Sequence, residues 1–438
     1  LLCDGSSENL IALKVENQIP SSRWYSGSGI YRDVTLVITE PVHVAKNGTY
    51  VTTPDLAANN GSSATVNIAV DVQNDSNASA AVTVRNTIYE KGSSESVGSD
   101  TQQLSVPSDG TASVKSEISV SSPKLWSLDT PNLYYVKTEI LNGSDVIDTY
   151  NTEFGFKWYE FVNNEGFKLN GDYVKINGVC MHHDQGALGS AAYHDAIYRQ
   201  MTIMKDMGVN TIRVTHNPAA EVLVDICNEL GLLVIEEAFD GWGIPKNGNS
   251  YDFSQYFDQT LTDSNQIIGG NASMTWAEFA IKSMVKRDRN DVSIILWSLG
   301  NEISEGAGNN YTWAATADKL IQWIKDVDTA HLPTSGSNRR DLFDIVAPVN
   351  QKIYEDGGVP GYNYGNLNEM QSLHNRYPVM LWSETVSPNN SRGIYTTQGS
   401  QANADGKYHL TSYDTSAVGW GKTVHDSMYP TLTNDWIA

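Results

Sequence analysis

The sequence has few cysteines and no long apolar run. Its three cysteines are Cys3, Cys180 and Cys227, and none belongs to a CxxC pair, so a disulfide framework is excluded. Cys180 and Cys227 lie in apolar segments, and we interpret both as inert core thiols. No stretch approaches the roughly 18 apolar residues that a membrane-spanning helix needs, and we therefore predict no membrane span.

Basic residues are also scarce. Lys and Arg number 29 against 51 Asp and Glu, which gives a net charge of −22. Nucleic acids and anionic membranes attract basic patches, so this balance argues against both as partners and favours a neutral substrate. The GxSxG pattern of a serine nucleophile is absent, which argues against a serine hydrolase.

The first part of the chain is rich in β patterns. A length of 438 residues predicts two or three domains. Residues 10–15 and 33–38 are strand-like, and we interpret residues 1–40 as the C-terminal part of a β-sandwich. Residues 41–157 alternate polar and apolar side chains, with turn residues about every ten positions. This spacing is typical of an immunoglobulin-like sandwich.

From residue 158 onward the pattern changes to alternating strands and helices. Such alternation predicts a parallel sheet, and seven strands in strict alternation predict a (β/α)8 TIM barrel that lacks its last strand in this chain. We expect the chain to be a fragment at both ends, with the missing strand supplied by a complementing chain or a homo-oligomer. The seven predicted strands cover residues 173–179, 211–214, 232–236, 293–302, 332–335, 362–364 and 379–384.

Polar residues follow these strands at their C-terminal ends, which form the active face of a barrel. Two of the strands end in a glutamate, Glu302 and Glu384. Paired carboxylates are the arrangement for glycoside hydrolysis, and their separation decides between retention and inversion. The sequence alone does not give that separation. The other residues of the ring are His182, His183, Asp184, His216, Asn217, Glu236, Glu237, Asp240, Asn301 and Tyr364.

Four motifs resemble those of glycoside hydrolase family 2, the β-galactosidases, β-glucuronidases and β-mannosidases. They are residues 29–34 (GIYRDV), 213–218 (RVTHNP), 297–302 (WSLGNE) and 382–385 (WSET). The likeness covers essentially the whole chain. It implies the domain order of that family, which is a jelly-roll-like sandwich, an immunoglobulin-like sandwich and a catalytic barrel.

The resemblance also implies roles for the candidate residues. The family works by a retaining double displacement, so Glu302 would be the general acid and base, and Glu384 the nucleophile. Asn301 would bind the sugar 2-hydroxyl, and Tyr364 would hydrogen-bond the nucleophile. The remaining candidates are substrate contacts, namely His182 and His216, the hydroxyl acceptors Asp184 and Asp240, and the aromatic platforms Trp24 and Trp420.

A neutral sugar is the expected substrate. Glucuronidases of the family carry an Asn-x-Lys motif after the nucleophile, and residues 388–393 of this chain, which follow Glu384, have no such motif. Residues 392–395 and 419–422 resemble the β-galactosidase branch, so a small molecule or oligosaccharide with a terminal β-galactose is expected. A β-glucuronidase or β-mannosidase remains the alternative within the family. A non-catalytic carbohydrate-binding protein is the alternative of a different class.

No cofactor is expected to be required. Some β-galactosidases of the family bind magnesium and sodium, but no full ligand set maps onto this sequence, and we assign no metal. HExxH is absent, and His182, His183 and Asp184 are not interpreted as a metal cluster. The acidic β regions rich in Ser, Asn and Thr favour an extracellular or cell-surface bacterial location over the cytoplasm.

Overall fold

A computed structural model describes residues 8–22, 29–262, 267, 269–304, 312–386 and 420–438. It contains a β-sandwich followed by a barrel of parallel strands and helices. The predicted multi-domain β and α/β architecture is confirmed.

The sandwich has seven antiparallel strands in two sheets, ordered β1-β2-β5 and β4-β3-β6-β7. Along β2 every second side chain is buried, because successive residues of a strand point to opposite faces. Its inward-facing valines pack against the second sheet around Val84, Ile88 and Val136. The strands are β1 (Val42–Thr52), β2 (Ser63–Asn74), β3 (Ala80–Glu90), β4 (Ser96–Val106), β5 (Gly110–Ser121), β6 (Tyr134–Asn142) and β7 (Asp145–Phe154).

A small antiparallel sheet connects the sandwich to the barrel. It consists of β8 (Tyr159–Val162), β9 (Gly166–Leu169) and β10 (Asp172–Tyr173). Phe167 and Leu169 from β9 pack in one cluster with Leu233, Ile235 and Leu296 of the barrel strands. This sheet therefore closes the N-terminal end of the barrel.

The barrel contains seven strands, which are all parallel to their neighbours. Six of them lie within two residues of the predicted bounds, whereas the first covers Gly178–Met181, and residues 174–177 of the predicted strand 173–179 belong to no strand. Two bridges, Thr334 to Val359 and Ser337 to Tyr362, continue the barrel between its fifth and sixth strands. The strands are β11 (Gly178–Met181), β12 (Thr211–Val214), β13 (Leu233–Glu237), β14 (Ile294–Asn301), β15 (Leu332–Gly336), β16 (Gly361–Asn363) and β17 (Leu381–Glu384).

Helices surround these strands, and their apolar faces form the outer core. Helix α2 ends at Gly231, which has a φ of 69°, a left-handed conformation that glycine adopts at little cost. None of the described helices is both long and apolar enough to cross a membrane. The helices are α1 (His194–Asp206), α2 (Glu221–Leu230), α3 (Ser254–Phe257), α4 (Trp276–Asp288), α5 (Trp313–Lys325), α6 (Ala347–Glu355), α7 (Leu367–His374) and α8 (Trp420–Leu432).

The eighth barrel position is begun by the last residues of the chain. Ile437 forms a parallel bridge with Met380, and Ala438 donates a backbone hydrogen bond to Met380. Lys175, which precedes the first barrel strand, donates to the carbonyl of Ile437 from the other side. We predicted a barrel truncated before this position. Among the described residues no eighth strand is assigned, only this bridge, and the domain boundary stays a prediction.

The strands predicted at residues 10–15 and 33–38 are not formed. Residues 8–22 and 29–40, which we call the N-terminal segment, are extended but unassigned to any strand, and Leu10, Ile11 and Leu36 are exposed. A β-strand needs a neighbour for its ladder hydrogen bonds, and the described segment has no such neighbour. That it belongs to a sugar-binding-like sandwich stays a prediction, as do the domain boundaries.

The sandwich is attached to the barrel strand that leads to Glu302. Tyr50 of β1 donates to Asp328 at 2.8 Å, and Trp297 of β14 donates to the other oxygen of the same carboxylate at 2.7 Å. Burial by itself would raise the pKa of Asp328, but the neighbouring His331 and the hydrogen bonds lower it to about 2. An ionised carboxylate therefore joins the two parts of the molecule.

A buried lysine lies at the same interface. Lys157 donates to the carbonyl of Ile294, the first residue of β14. Its ammonium group lies 5.7 Å from the ring centroid of Trp126 and 5.3 Å from that of Tyr159. Burial lowers its pKa to about 7, against weaker opposing attraction from Asp291 and Asp328.

This pKa predicts a pH-dependent contribution to stability. Between about pH 7 and pH 10 the unfolded chain holds a proton on Lys157 that the folded chain has lost, so the free energy of unfolding rises with pH. Relative to Lys157→Met, the wild type should gain on the order of 2–4 kcal/mol across this window. Chemical denaturation at a series of pH values measures it. Lys115→Met, which removes an exposed lysine, is the control. If the wild type gains as much free energy of unfolding relative to Lys115→Met as it does relative to Lys157→Met, the lowered pKa of Lys157 is contradicted.

Candidate active site

The candidate residues meet at the C-terminal end of the barrel. Asn301 and Asn363 end β14 and β16, Glu384 ends β17, and Glu302 directly follows β14. Because all these strands are parallel, their C-terminal ends face the same side of the barrel. Residues far apart in sequence therefore converge at one place.

Glu384 accepts hydrogen bonds on both carboxylate oxygens. Oε1 receives Arg213 Nη1 at 2.8 Å and Asn363 Nδ2 at 3.1 Å, and Oε2 receives the Tyr364 hydroxyl at 2.6 Å. These donors include a full positive charge, and hydrogen bonds to charged groups are the stronger kind. They fix the orientation of the carboxylate toward the centre of the ring.

Glu302 lies next to Glu384 and shares a donor with it. Asn363 Nδ2 is 3.0 Å from Glu302 Oε1 and 3.1 Å from Glu384 Oε1. The two distances limit the separation of these oxygens to no more than about 6 Å, since both lie within hydrogen-bond reach of one nitrogen. Glu302 is 5% exposed. The structure therefore brings the two predicted carboxylates together, with Glu302 buried and Glu384 partly buried.

Two residues of the site have a left-handed backbone. Glu302 has a φ of 44° and Tyr364 a φ of 56°, a conformation that costs non-glycine residues free energy and that occurs where the surroundings enforce it. Backbone hydrogen bonds hold both residues, from Glu302 N to Gly336 O at 2.6 Å and from Tyr364 N to Glu384 O at 2.5 Å. The neighbouring strands thus direct both side chains into the site.

A third carboxylate, Glu237 at the end of β13, is linked to Glu384 through Arg213. Arg213 Nη2 donates to Glu237 at 2.6 Å while Nη1 of the same guanidinium donates to Glu384. Glu237 is fully buried, which alone would raise its pKa, but Arg213 and His216 lower it to about 2. Arg213 is therefore an ionised bridge between two carboxylates.

The orientation of Asn301 and His216 follows from the same network. Asn301 Oδ1 accepts from Arg213 at 3.1 Å and from Asn363 at 2.9 Å, so its Nδ2 faces His216 Nε2 at 3.3 Å. His216 Nδ1 is 2.5 Å from Glu237, and a carboxylate can only accept, so this nitrogen carries the proton. Gly336 is required beside them, because a Cβ there would lie 2.6 Å from Arg213 Nη2.

A cavity of about 710 Å³ lies between the loops that follow β11, β12 and β13. Glu302 and Glu384 do not line it, but His216, which contacts Glu237, does. His182, His216 and Asp240 line it, and Asp240 forms an ion pair with Lys246 at 2.7 Å. The N-terminal segment supplies part of the wall through Ser21, Ser22 and residues 29–31. The cavity can hold a sugar-sized molecule.

The two histidines after β11 differ from each other. His182 packs edge-on against His216, with 5.2 Å between the ring centroids, and burial lowers its pKa. His183 contacts the Pro218 carbonyl at 3.2 Å, and burial, with the nearby Arg32, lowers its pKa to about 4. Neutral imidazole is therefore the form of His183 at physiological pH.

Family models match both parts of the chain. The model described as "Glycosyl hydrolases family 2, TIM barrel domain" matches residues 161–404, and the model "Glycosyl hydrolases family 2" matches residues 42–157. The chain belongs to glycosyl hydrolase family 2.

Individual family 2 proteins are similar over most of this chain. A curated relative, the β-galactosidase BoGH2A of Bacteroides ovatus, is 31% identical over 98% of this chain and 52% of its own length. A protein of Formosa agariphila provisionally named a β-glucuronidase is 34% identical over 77% of this chain and 29% of its own length. The chain therefore spans about half or less of these relatives.

A solved structure supports the same family 2 fold. A glycosyl hydrolase family 2 member from Bacteroides cellulosilyticus superimposes with a TM-score of 0.76 at 30% identity, over 95% of this chain and 46% of that chain.

Two predicted contacts of the family 2 site cannot be placed. Trp24 and the side chain of Trp420 lie outside the described residues, as do residues 392–395 and residue 419. Asp184 is placed, but its Oδ1 accepts from the backbone of Gly186 at 2.8 Å, and it does not line the cavity. This position gives no support to the prediction that Asp184 accepts a hydrogen bond from a hydroxyl of the substrate.

Among the described residues no three His, Cys, Asp or Glu side chains are grouped so that they could hold a metal ion. That no cofactor is required stays a prediction.

Cys180 does not lie in the core. Its side chain is at the first barrel strand, 3.5 Å from Arg213 Nη1 and from the Ser383 carbonyl, and the residue is exposed. Cys227 is buried, as expected. The interpretation of Cys180 as a core thiol is therefore wrong, because strand β11 turns this side chain toward the ring of polar residues.

Sequence reasoning assigned no role to three residues that the geometry makes central, Arg213, Asn363 and Lys246. Arg213 lay within a quoted family 2 motif, and an arginine in an apolar strand could have signalled a buried ion pair. Asn363 directly precedes Tyr364, at the end of a strand. No local pattern distinguishes Lys246 from a surface lysine, although the structure leaves it only 1% exposed.

The Arg213 bridge predicts a large stability effect. Arg213→Met leaves Glu237 buried without its cation, which should cost about 3–5 kcal/mol. Urea denaturation at pH 7 measures it. Arg85→Met, which breaks the half-exposed pair with Glu139, should cost less than about 1 kcal/mol.

A double-variant cycle separates the ion pair from lost packing. Adding Glu237→Gln to Arg213→Met should cost less than the two single changes together, because the uncompensated charge is removed. Additive losses, or an Arg213→Met loss no larger than that of Arg85→Met, would show that Arg213 and Glu237 are not coupled.

Proposed function

We propose that the protein is a retaining exo-glycoside hydrolase that releases terminal β-galactose. Glu384 is the nucleophile, and Glu302 is the general acid and then the general base. The observation that carries this proposal is the single amide, Asn363 Nδ2, within 3.1 Å of both carboxylates. It supports a common reaction centre for the two residues.

The first step forms a covalent glycosyl-enzyme. Glu384 attacks the anomeric carbon, the bond from that carbon to the leaving oxygen breaks, and Glu302 gives its proton to that oxygen. Arg213, Asn363 and Tyr364 hold the attacking carboxylate in place. In the second step Glu302 takes a proton from water, which attacks the same carbon and releases Glu384.

The two carboxylate oxygens that share the Asn363 amide are at most about 6 Å apart, which favours retention. Retaining enzymes have carboxyl groups ~5–5.5 Å apart, whereas inverting enzymes need ~6.5–9.5 Å to admit a water between them.

Asn301 would contribute by binding the 2-hydroxyl of the sugar. Its Oδ1 already accepts two hydrogen bonds, so its Nδ2, which faces His216 Nε2 at 3.3 Å, is the group left for a substrate oxygen. His182, His216 and Asp240 line the adjacent cavity and would contact the other hydroxyls.

Galactose is supported by two observations. The Asn-x-Lys motif that glucuronidases carry after the nucleophile is absent from the residues that follow Glu384, and a β-galactosidase is similar over 98% of the chain. The provisionally named β-glucuronidase with 34% identity is the observation that favours the alternative.

Azide tests the two carboxylate roles. In Glu384→Gly, azide should attack from the vacated side and give an α-glycosyl azide; in Glu302→Ala, it should attack the glycosyl-enzyme and give a β-glycosyl azide. Each variant without azide should lose at least ~10³-fold in turnover of a phenyl glycoside, whose leaving group needs a proton. NMR of the products reads the stereochemistry. Identical azide products from both variants would reject the assignment, and sugar binding without any turnover by the wild type would indicate a binding protein.

The sugar is tested with matched nitrophenyl glycosides. The β-galactoside should be turned over with a kcat/KM at least ~10²-fold above those of the β-glucuronide and the β-mannoside, since buried groups placed for one pattern of hydroxyls reject another. Preferred turnover of the β-glucuronide would replace the galactose assignment and leave the carboxylate roles untouched.

A further inference from the structure

The end of strand β14 depends on side chains for its hydrogen bonds. Its register with β15 shifts between Ser298 and Asn301, so the ladder is interrupted there. Two residues of the loop after β13 donate to carbonyls in this stretch. Trp242 Nε1 donates to Leu299 O at 2.9 Å, and Lys246 Nζ donates to Asn301 O at 2.7 Å.

Lys246 is held in place from several directions. Its Nζ also donates to Asp240 Oδ1 at 2.7 Å and to the Asp240 carbonyl at 3.1 Å. Its backbone N–H donates to Asp252 at 2.9 Å. A buried ammonium group is costly unless it is paired and hydrogen-bonded, and these contacts meet that requirement. The lysine therefore has a single well-defined position.

The carbonyl that Lys246 binds belongs to the peptide unit leading into Glu302. The other end of the same unit, the N–H of Glu302, donates to Gly336 O at 2.6 Å. Both ends of this peptide plane are thus hydrogen-bonded. Because Glu302 has the unfavourable φ of 44°, the orientation of this plane determines the direction of its side chain.

We propose that Lys246 is a positioning residue for proton transfer by Glu302. It acts through the Asn301 carbonyl and keeps the carboxyl group of Glu302 at the leaving oxygen. This inference rests on the role proposed for Glu302 above. Removing Lys246 should slow the cleavage of glycosides whose leaving group must be protonated. It should have little effect on glycosides whose leaving group departs without a proton.

The test compares two substrates that differ in their need for an acid. A phenyl glycoside has a basic leaving group that must be protonated, whereas a dinitrophenyl glycoside departs without help. Lys246→Met should lower kcat/KM about 10²-fold on the phenyl glycoside, as misplaced catalytic groups do. On the dinitrophenyl glycoside kcat/KM should change less than about 3-fold, because proton transfer contributes little to its cleavage.

Lys157→Met is the matched control. Lys157 is a buried lysine that donates to a carbonyl of the same strand, Ile294 O, but at the opposite end. It should change both substrates equally and by less than about 3-fold, because it does not touch the peptide unit before Glu302. Thermal unfolding of both variants shows whether they fold, and Lys246→Gln, which removes the cation but keeps a polar side chain, replaces Lys246→Met if that variant does not.

The outcomes separate this inference from the proposed function. Equal losses on the two substrates in the Lys246 variant, or losses no larger than those of Lys157→Met, would overturn the positioning role. Glu302→Ala measured in parallel must show the same substrate difference. If Glu302→Ala lowers both substrates equally, the role proposed for Glu302 fails. If Glu302→Ala shows the difference between the two substrates and Lys246→Met does not, only the inference about Lys246 fails.

Discussion

The guanidinium of Arg213 is the interaction on which the site depends. It is buried, and it binds Glu237 and Glu384 with two nitrogens of one planar group. Burial opposes its charge, but the two carboxylates outweigh that effect and raise its pKa. Two carboxylates so close would repel each other without this cation. Asn301, Asn363 and His216 are oriented by the same cluster.

The scaffold below the ring places this cluster with little freedom. The strands that carry it are apolar in their lower halves, where Leu233, Ile235 and Leu296 pack against the closing sheet β8–β10. Most side chains of the site lie at the end of a strand or shortly after it. Backbone hydrogen bonds to neighbouring strands hold Glu302 and Tyr364 in their unfavourable conformation.

Much of this architecture could be predicted because it rests on periodic patterns. Seven apolar runs alternating with helices predicted the barrel, and the glutamates at their ends predicted which side chains would meet. Asn363 and Lys246 could not be found in this way. Their importance comes from contacts across 61 and 55 residues of sequence, which no local spacing encodes. The N-terminal segment led to a wrong prediction of two strands. Its alternation of polar and apolar residues is typical of a strand, but the pattern does not show which strand would pair with it.

The N-terminal segment reaches the active face of the barrel at two further points. Tyr31 accepts a backbone hydrogen bond from Ala192, and Pro20 accepts one from Tyr251. One wall of the cavity thus comes from residues that precede the sandwich in sequence, although the carboxylates lie in the barrel. Substitutions in this part of the wall could therefore change which molecules enter the cavity without altering the two carboxylates.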